Sequence, residues 1–300
     1  MNRRHFLQSL AALAAAPACA QGAAWKLNYA LASSMYGSLK LAEILPEVKK
    51  TGASSIDLWP RRHGTQREEI DEIGHDRFAA MLGQHGLTLA GSTRYDLGPF
   101  GLDEEIRVNQ KLGGRFIVTG GKGEYKVPAD QLKRNVIDFV EKMKPHAAQA
   151  AAAGVTIAIE NHVNNLIDSP DSLRWFADAA RGIEGLGIAL APYHLPQEPA
   201  LLAELIRHID AKMSLFYAWE HGMGCMKPMP KDEELQQMPG RGKLDWQPLL
   251  AALKAIRFTG PTEIFMHPTP RGIPILPTAA ETTAEIVRAK NFLDPIAAAV

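Results

Sequence analysis

The sequence has few cysteines, no excess of charge of either sign and no internal low-complexity linker. Only two cysteines, Cys19 and Cys225, occur among 300 residues. The 33 basic residues balance the 33 acidic ones. This balance argues against a dedicated nucleic-acid-binding protein, because such proteins carry clustered Lys and Arg to displace phosphate counterions. With 46% hydrophobic and 22% charged residues, the composition indicates a folded domain with a sizeable core.

The first twenty residues, MNRRHFLQSLAALAAAPACA, have the pattern of an export signal. A basic start precedes a Leu- and Ala-rich stretch and a small-residue end at 18–20. Arg3 and Arg4, followed by His5-Phe6-Leu7, fit the twin-arginine signal and predict a periplasmic protein. Cys19 leaves a lipoprotein anchor as an alternative. The apolar stretch is too short for a membrane span. If it is removed, Cys225 is the only thiol left and no internal disulfide can form.

Residues 21–300 alternate between short apolar runs and helical patterns, which predicts one α/β domain. Strands spaced by intervening helices imply right-handed crossovers and a parallel sheet. Eight such units favour a closed (β/α)8 barrel, with an open doubly wound sheet as the alternative. The predicted strands are Lys26–Ala30, Ser55–Trp59, Leu87–Gly91, Arg115–Thr119, Val155–Glu160, Gly187–Ala191, Met213–Ala218 and Thr262–Met266.

Two of these strands carry a glutamate in an apolar run. The fifth ends in IAIENH with Glu160, and the eighth reads PTEIFMHPTPRG with Glu263. A carboxylate on a buried strand is costly unless it binds a metal, pairs with a base or is protonated. Because active sites of such barrels lie at the carboxyl ends of the strands, we expect both glutamates to be catalytic.

Histidines near the predicted strand ends are candidate metal ligands beside the two glutamates. His194 follows strand six, His221 follows strand seven, and His267 follows Glu263 at the spacing that places both on one side of a strand. Carboxylate and imidazole together suit a divalent ion such as manganese, zinc, cobalt or iron, and they do not select among these ions.

Other residues near strand ends are candidate contacts for a small-molecule substrate. A tryptophan can stack on a sugar ring, and a cationic side chain can hold an anionic or hydroxyl-rich group. A long segment rich in Gly, Met and Pro, at about residues 219–246, is typical of a lid or a substrate clamp. The substrate-binding candidates are Trp59, Lys122, His162, Tyr217 and Arg271.

Three segments together resemble the sugar phosphate isomerase/epimerase family of xylose isomerase-like TIM barrels. They are IAIENH, the stretch GRGKLDWQPLLAALKAI and FTGPTEIFMHP. The resemblance covers most of residues 26–294. It implies a divalent metal at the strand ends, and in the ketose epimerases two glutamates bind this metal and move the proton on carbon. Glu160 and Glu263 match those two glutamates.

The sequence departs from the family pattern at two further metal ligands. The strand-six motif usually supplies an Asp followed three residues later by a His, and here Ala191 precedes His194. Strand seven usually supplies a His, and Tyr217 stands there. Two alternatives follow from the resemblance: His194, His221 or His267 completes the metal shell, or the protein works without the usual metal.

These features predict an exported sugar isomerase or epimerase that removes a proton next to a carbonyl. A lyase or hydrolase that opens keto-glycosides by β-elimination is an alternative, since it begins with the same step. A carbohydrate-binding barrel without catalysis is another, favoured by Ala191. DNA-repair endonucleases share the fold, but neutral charge and export disfavour that function. We therefore expect a carbohydrate partner, no nucleic acid and no membrane span; the sequence leaves the oligomeric state open.

Overall fold

A computed structural model describes residues 25–220 and 227–300, and in them eight parallel strands close into a barrel in chain order. The predicted (β/α)8 TIM barrel is therefore confirmed. The predicted signal at residues 1–20 and the candidate His221 lie outside the described residues. The strands are Asn28–Ala32 (β1), Ser55–Leu58 (β2), Thr88–Thr93 (β3), Phe116–Gly120 (β4), Thr156–Glu160 (β5), Leu186–Leu190 (β6), Met213–Ala218 (β7) and Pro261–Ile264 (β8).

Helices follow the strands and cover the outside of the barrel, where their apolar faces pack on the strands. Local chemistry fixes their ends: Ser169 accepts a hydrogen bond from Ser172 N with Pro170 in the first turn, and Gly113 ends its helix at φ +81°. The helices are Leu41–Lys50 (α1), Gln66–Ile73 (α2), His75–His85 (α3), Asp103–Leu112 (α4), Ala129–Ala152 (α5), Pro170–Ala179 (α6), Pro199–Ile209 (α7), Lys231–Glu234 (α8), Gln247–Ala255 (α9) and Ala279–Ala299 (α10).

The eighth strand ends earlier than the sequence predicts. β8 stops at Ile264 rather than Met266. Phe265 N still donates to Ala218 O at 3.3 Å, and side chains then capture the amides of Met266 and His267. Met266 N donates to Met35 Sδ at 3.2 Å, and His267 N donates to Gln237 Oε1 at 3.2 Å. His267 therefore lies in the segment after the strand rather than within it.

The first strand begins and ends two residues later than predicted. Its pairing with β8 starts at Asn28, opposite Pro261, so Trp25 to Leu27 precede the sheet. The shift moves β1 toward the carboxyl-end face of the barrel. Among the described residues, no helix is long and apolar enough to cross a membrane.

Candidate active site

Three carboxyl groups converge on the barrel interior from different strands. Asp57 of β2, Glu160 of β5 and Glu263 of β8 are all at most 3% exposed. Small residues lie beside the glutamates in the register: Gly120 and Ala189 flank Glu160, and Ala30 is next to Glu263. A Cβ at Gly120 would collide with Asn165 and lie 2.8 Å from Tyr95 Cε1, so these two side chains occupy the space beside Gly120.

Burial raises the pKa of each carboxyl, and like charges add to the effect. The pKa of Glu160 is raised to about 8, by burial first and then by the charge of Asp57, although the Tyr95 hydrogen bond opposes the shift. Burial, Asp57 and Glu160 raise the pKa of Glu263 well above its ordinary value. Both glutamates therefore favour the protonated form in the folded protein, and ionisation of one disfavours ionisation of the other.

The hydrogen bonds of the three acids differ. Thr93 Oγ1 donates to Asp57 Oδ2 at 2.7 Å, and the Tyr95 hydroxyl donates to Glu160 Oε2 at 2.8 Å. Neither carboxyl oxygen of Glu263 has a hydrogen-bond partner in the described part of the chain. Unsatisfied buried oxygens are expensive, so Glu263 is the acid whose environment a ligand would complete.

Asp57 is the site residue that sequence reasoning missed. Burial first raises its pKa, to about 7, and Glu105 adds to the shift. The sequence did contain a signal, because SIDLWP places an acid in an apolar strand as IAIENH and PTEIF do. Trp59, at the end of the same run, is the residue that the sequence predicts to contact substrate, and Asp57 is not among the predicted site residues.

Aromatic and imidazole rings form a continuous layer above the carboxyls. Trp59 stacks on Phe265 with ring centroids 5.2 Å apart, and Phe265 contacts His267 at 4.6 Å. Trp219 continues the layer at 5.4 Å from His267. This layer shields the acids from water and so accounts for their raised pKa values. It also includes His63, Tyr95, His162, Tyr193, His194 and Tyr217.

Three histidines of this layer, His63, His162 and His267, have pKa values lowered by burial and by the charge of Arg271. Burial and then the Arg271 charge lower the pKa of His63 to about 4 and lower that of His267 well below its ordinary value. Arg271 also lowers the pKa of His162, after burial. Its guanidinium donates to Pro268 O at 3.3 Å, so it lies at the barrel mouth above the carboxyls.

The predicted metal ligands do not come together as a metal centre in residues 25–220 and 227–300. No group of three or more His, Cys, Asp or Glu side chains there is placed to hold an ion. His194 Nε2 lies 3.7 Å from Glu160 Oε1, a separation at which two donors can share one ion, but no third such side chain among the described residues joins them. The ring of His267 packs against Trp59 and Trp219. The side chains present, as placed, do not fit the metal ion that the resemblance implies.

Ala191, which stands where the resemblance implies an aspartate, is fixed through its backbone. Asn161 Nδ2 donates to Ala191 O at 2.9 Å, and Ala191 N donates to Asn161 Oδ1 at 2.8 Å. This reciprocal pair joins the ends of β5 and β6. The position is buried and presents only a methyl group, which offers no ligand atom.

Two cavities share Tyr95 as a lining residue, and Asp57, Glu160 and Glu263 line neither of them. The first, about 330 Å³, is lined by Trp59, His63 and Thr93 among others. The second, about 350 Å³, is lined by Gly120, Lys122 and Asn165 among others. Tyr95 is 37% exposed, yet its hydroxyl reaches Glu160. Lys122 is exposed at the second cavity, where it can meet a substrate before the carboxyls do.

The long segment after β7 is attached to the barrel mouth by buried hydrogen bonds. Glu220 accepts from Gly240 N at 2.8 Å, Leu244 N at 3.1 Å and Trp246 Nε1 at 2.8 Å. Gln237 Nε2 donates to His267 O at 3.0 Å. Residues 227–246 therefore cover the ring layer as a fixed structure, and Glu220 has a structural role.

Comparison with known proteins agrees with this architecture. The chain resembles the solved structures of an L-ribulose 3-epimerase (18% identity, 91% of this chain and 95% of that chain, TM-score 0.65) and of the IOLI protein with a bound zinc atom (16%, 90% and 98%, TM-score 0.68). It also resembles a D-allulose 3-epimerase from Methylomonas sp. in complex with D-allulose (16%, 89% and 96%, TM-score 0.64). No curated protein matches the chain. The xylose isomerase-like TIM barrel profile matches residues 45–290, and the chain belongs to that family.

Proposed function

We propose that this protein is an exported enzyme that isomerises or epimerises a sugar or sugar derivative by moving a proton next to a carbonyl. The observation that carries the proposal is the pair of buried carboxyls, Glu160 and Glu263, which enter one barrel interior from β5 and β8. Structural similarity to proteins named as 3-epimerases of ketoses supports the sugar class.

The chemistry requires one carboxylate and one carboxylic acid around the same carbon. The carboxylate removes the proton from the carbon next to the carbonyl, and the electron pair moves to the carbonyl oxygen to give an enediolate. Return of a proton to the other face gives an epimer, and return to the neighbouring carbon gives an isomer. The pKa of Glu160, about 8, suits this work, because an acid that titrates near neutrality is effective in both directions.

The surrounding residues provide substrate contacts in this proposal. Trp59 offers a ring face at one cavity, and Lys122 offers a cation at the other. His162 and Arg271 lie at the mouth, where they can bind hydroxyl groups of a sugar. The ring layer excludes water, which prevents the carbanion-like intermediate from being quenched by solvent.

A metal ion is not part of this proposal. A divalent ion would polarise the carbonyl and stabilise the developing oxyanion, but the described carboxyl and imidazole groups are not arranged to hold one. Metal ligation by Glu160, His194, His221, Glu263 and His267 stays a prediction.

Export through the twin-arginine route is also proposed, on the pattern of residues 1–20. Fractionation of cells that express the full chain tests it. We expect a processed protein in the periplasm, and no processing when Arg3 and Arg4 are both replaced by Lys. Metabolic labelling with a fatty acid that depends on Cys19 would instead support the lipoprotein alternative.

The enzymatic proposal is tested by proton exchange in D₂O with purified protein. Ketoses, aldoses and keto-glycosides are incubated with the protein, and deuterium next to the carbonyl is followed by NMR. The matched control is the double variant Glu160→Gln/Glu263→Gln, which keeps the shape of both side chains. We expect exchange with at least one ketose by the wild type only. Cleavage of a keto-glycoside would favour the lyase alternative, and no exchange with any compound would contradict the proposal.

A further inference from the structure

Tyr217 has a buried hydroxyl group that the fold does not use. Its side chain is 1% exposed, and its hydroxyl has no hydrogen-bond partner among the described residues. Tyr217 is the register partner of Glu263 in the neighbouring strand, so the two side chains point to the same side of the sheet. Its phenol therefore enters the barrel beside the acid that also lacks partners.

A phenol in this position is an unfavourable choice for stability alone. Leaving a buried hydroxyl unpaired costs about 1–3 kcal/mol relative to a satisfied one, and Phe would fill the same space against Phe265, whose ring centroid is 5.3 Å away. Buried polar groups without partners in a folded protein call for an explanation. A ligand atom that accepts a hydrogen bond inside the barrel provides one.

The charges around Tyr217 determine which hydrogen-bonding role its hydroxyl group can take. Burial, followed by the charges of Glu160 and Glu263, raises its pKa well above the ordinary value. The group therefore stays a phenol, which can donate its proton into a hydrogen bond but does not become a phenolate. Tyr95, the other phenol at the carboxyls, already donates to Glu160. Tyr217 is thus a donor still available beside the acid pair.

We propose that the Tyr217 hydroxyl donates a hydrogen bond to the carbonyl oxygen of the substrate and stabilises the oxyanion that forms there. This inference rests on the proposed function. In the step, a carboxylate of the pair takes the proton as the C–H bond breaks. The electron pair forms the C=C bond, the C=O π pair moves to oxygen, and Tyr217 holds that oxygen. Reprotonation of carbon by a carboxylic acid restores the carbonyl and releases the hydrogen bond.

This role fits the disagreement between the site and the metal that the family resemblance implies. A metal ion and a preorganised hydrogen-bond donor perform the same task, stabilising negative charge on oxygen in a site without water. Ala191 presents no ligand atom, and Tyr217 presents a donor beside Glu263. With Ala191 and Tyr217 at the positions of two usual metal ligands, a phenol donor therefore replaces the metal ion in stabilising the oxyanion.

The test compares Tyr217→Phe with the wild type in D₂O exchange on the substrate that the wild type accepts. Removing one oxyanion donor typically lowers kcat by about 10²–10³-fold, and we expect this loss with a KM change of less than about threefold. Tyr29→Phe is the matched control, because its hydroxyl donates to Asp294 at 2.8 Å at the other end of the barrel. We expect that control to leave kcat unchanged.

Thermal unfolding gives a second measurement that needs no substrate. Because the Tyr217 hydroxyl lacks a partner, Tyr217→Phe should not lower the Tm, whereas Tyr29→Phe should lower it. Exchange by Tyr217→Phe at the wild-type kcat would overturn this inference and leave the proposed function intact. A Tm loss for Tyr217→Phe would show a structural hydrogen bond and also overturn it. Absence of exchange by the wild type would overturn both proposals together.

Discussion

The Tyr95 hydroxyl donates a 2.8 Å hydrogen bond to Oε2 of Glu160, although 37% of Tyr95 is exposed to solvent. Tyr95 thus lines two cavities and, through this hydrogen bond, opposes the rise in the pKa of Glu160 that burial causes. Gly120, the register partner of Glu160, permits the arrangement: a Cβ there would lie 2.8 Å from Tyr95 Cε1. Access to the site and its acid–base chemistry are therefore linked through Tyr95.

Tyr95→Phe should move the pH dependence of proton exchange to higher pH. The hydrogen bond favours the ionised carboxylate, and its loss raises the pKa of Glu160, which is about 8 in the wild type. One hydrogen bond to a charged group corresponds to about one pKa unit or more. The measurement is kcat/KM for exchange between pH 6 and pH 10. Tyr29→Phe is the control, and an unmoved profile in Tyr95→Phe would refute the link.

The free energy of unfolding should fall as the pH rises from about 4.5 to about 8, because Glu160 is protonated in the folded state and ionised in the unfolded state over this range. Unfolded Glu160 ionises near 4.5, and folded Glu160 near 8. Below 4.5 both states are protonated; between these values only the folded state binds the proton, so unfolding becomes easier as the pH rises. Glu160→Gln removes this ionisation. The unfolding free energy of the variant minus that of the wild type should therefore increase by about 2–4 kcal/mol from pH 5 to pH 8.

Denaturant titrations of both proteins at pH 5, 6, 7 and 8 measure this difference. Gln keeps an oxygen that accepts the Tyr95 hydroxyl, so the comparison isolates the buried ionisation. If the difference in unfolding free energy between the two proteins is the same at pH 5 and pH 8, the raised pKa of Glu160 is contradicted.

Glu220→Gln should detach residues 227–246 from the barrel mouth. The carboxylate accepts from two backbone amides and from Trp246 Nε1, and a Gln amide would place donors against donors. We expect a loss of about 2–4 kcal/mol in unfolding free energy and faster proteolysis in this segment. Asp232→Asn, an exposed acid in the same segment, is the control and should change stability by less than about 0.5 kcal/mol. Equal stability of the two variants would disagree with the structural role of Glu220.

Removal of divalent metal should leave exchange intact. Oxyanion stabilisation is assigned to Tyr217, and the described ligating side chains are not grouped for an ion. Protein dialysed against EDTA, with metal content checked by mass spectrometry, should exchange at the rate of untreated protein. If EDTA abolishes exchange and added manganese or zinc restores it, the protein instead uses a divalent metal, as the family resemblance implies.

Much of the architecture can be predicted from the sequence because its signals are local. Apolar runs between capped helices identify the barrel, and acids inside such runs identify Glu160 and Glu263. Strand ends are less accurate because they depend on distant partners. β8 stops at Ile264, and Met35 and Gln237 take the amides of Met266 and His267 just beyond it; neither partner is near in sequence.

The sequence alone does not determine which side chains interact across the barrel. Asp57 carries the same strand signal as the glutamates, yet only the closed barrel shows that its charge acts on both of them. The histidines look like metal ligands in sequence, while the structure packs His267 among aromatic rings. Tyr95 follows a strand without distinctive spacing, and its contact with Glu160 spans 65 positions.

The measurement that tests the central claim most directly is deuterium uptake from solvent by the Glu263→Gln variant. Glu263 is fully buried, and neither of its oxygens has a partner in the described residues, so its replacement by Gln should preserve the fold. Loss of a positioned acid or base lowers the rate by about 10²–10⁴-fold. We therefore predict at least a hundredfold slower exchange with an unchanged or higher Tm. Exchange at the wild-type rate would contradict the assignment of Glu263 to the acid–base pair.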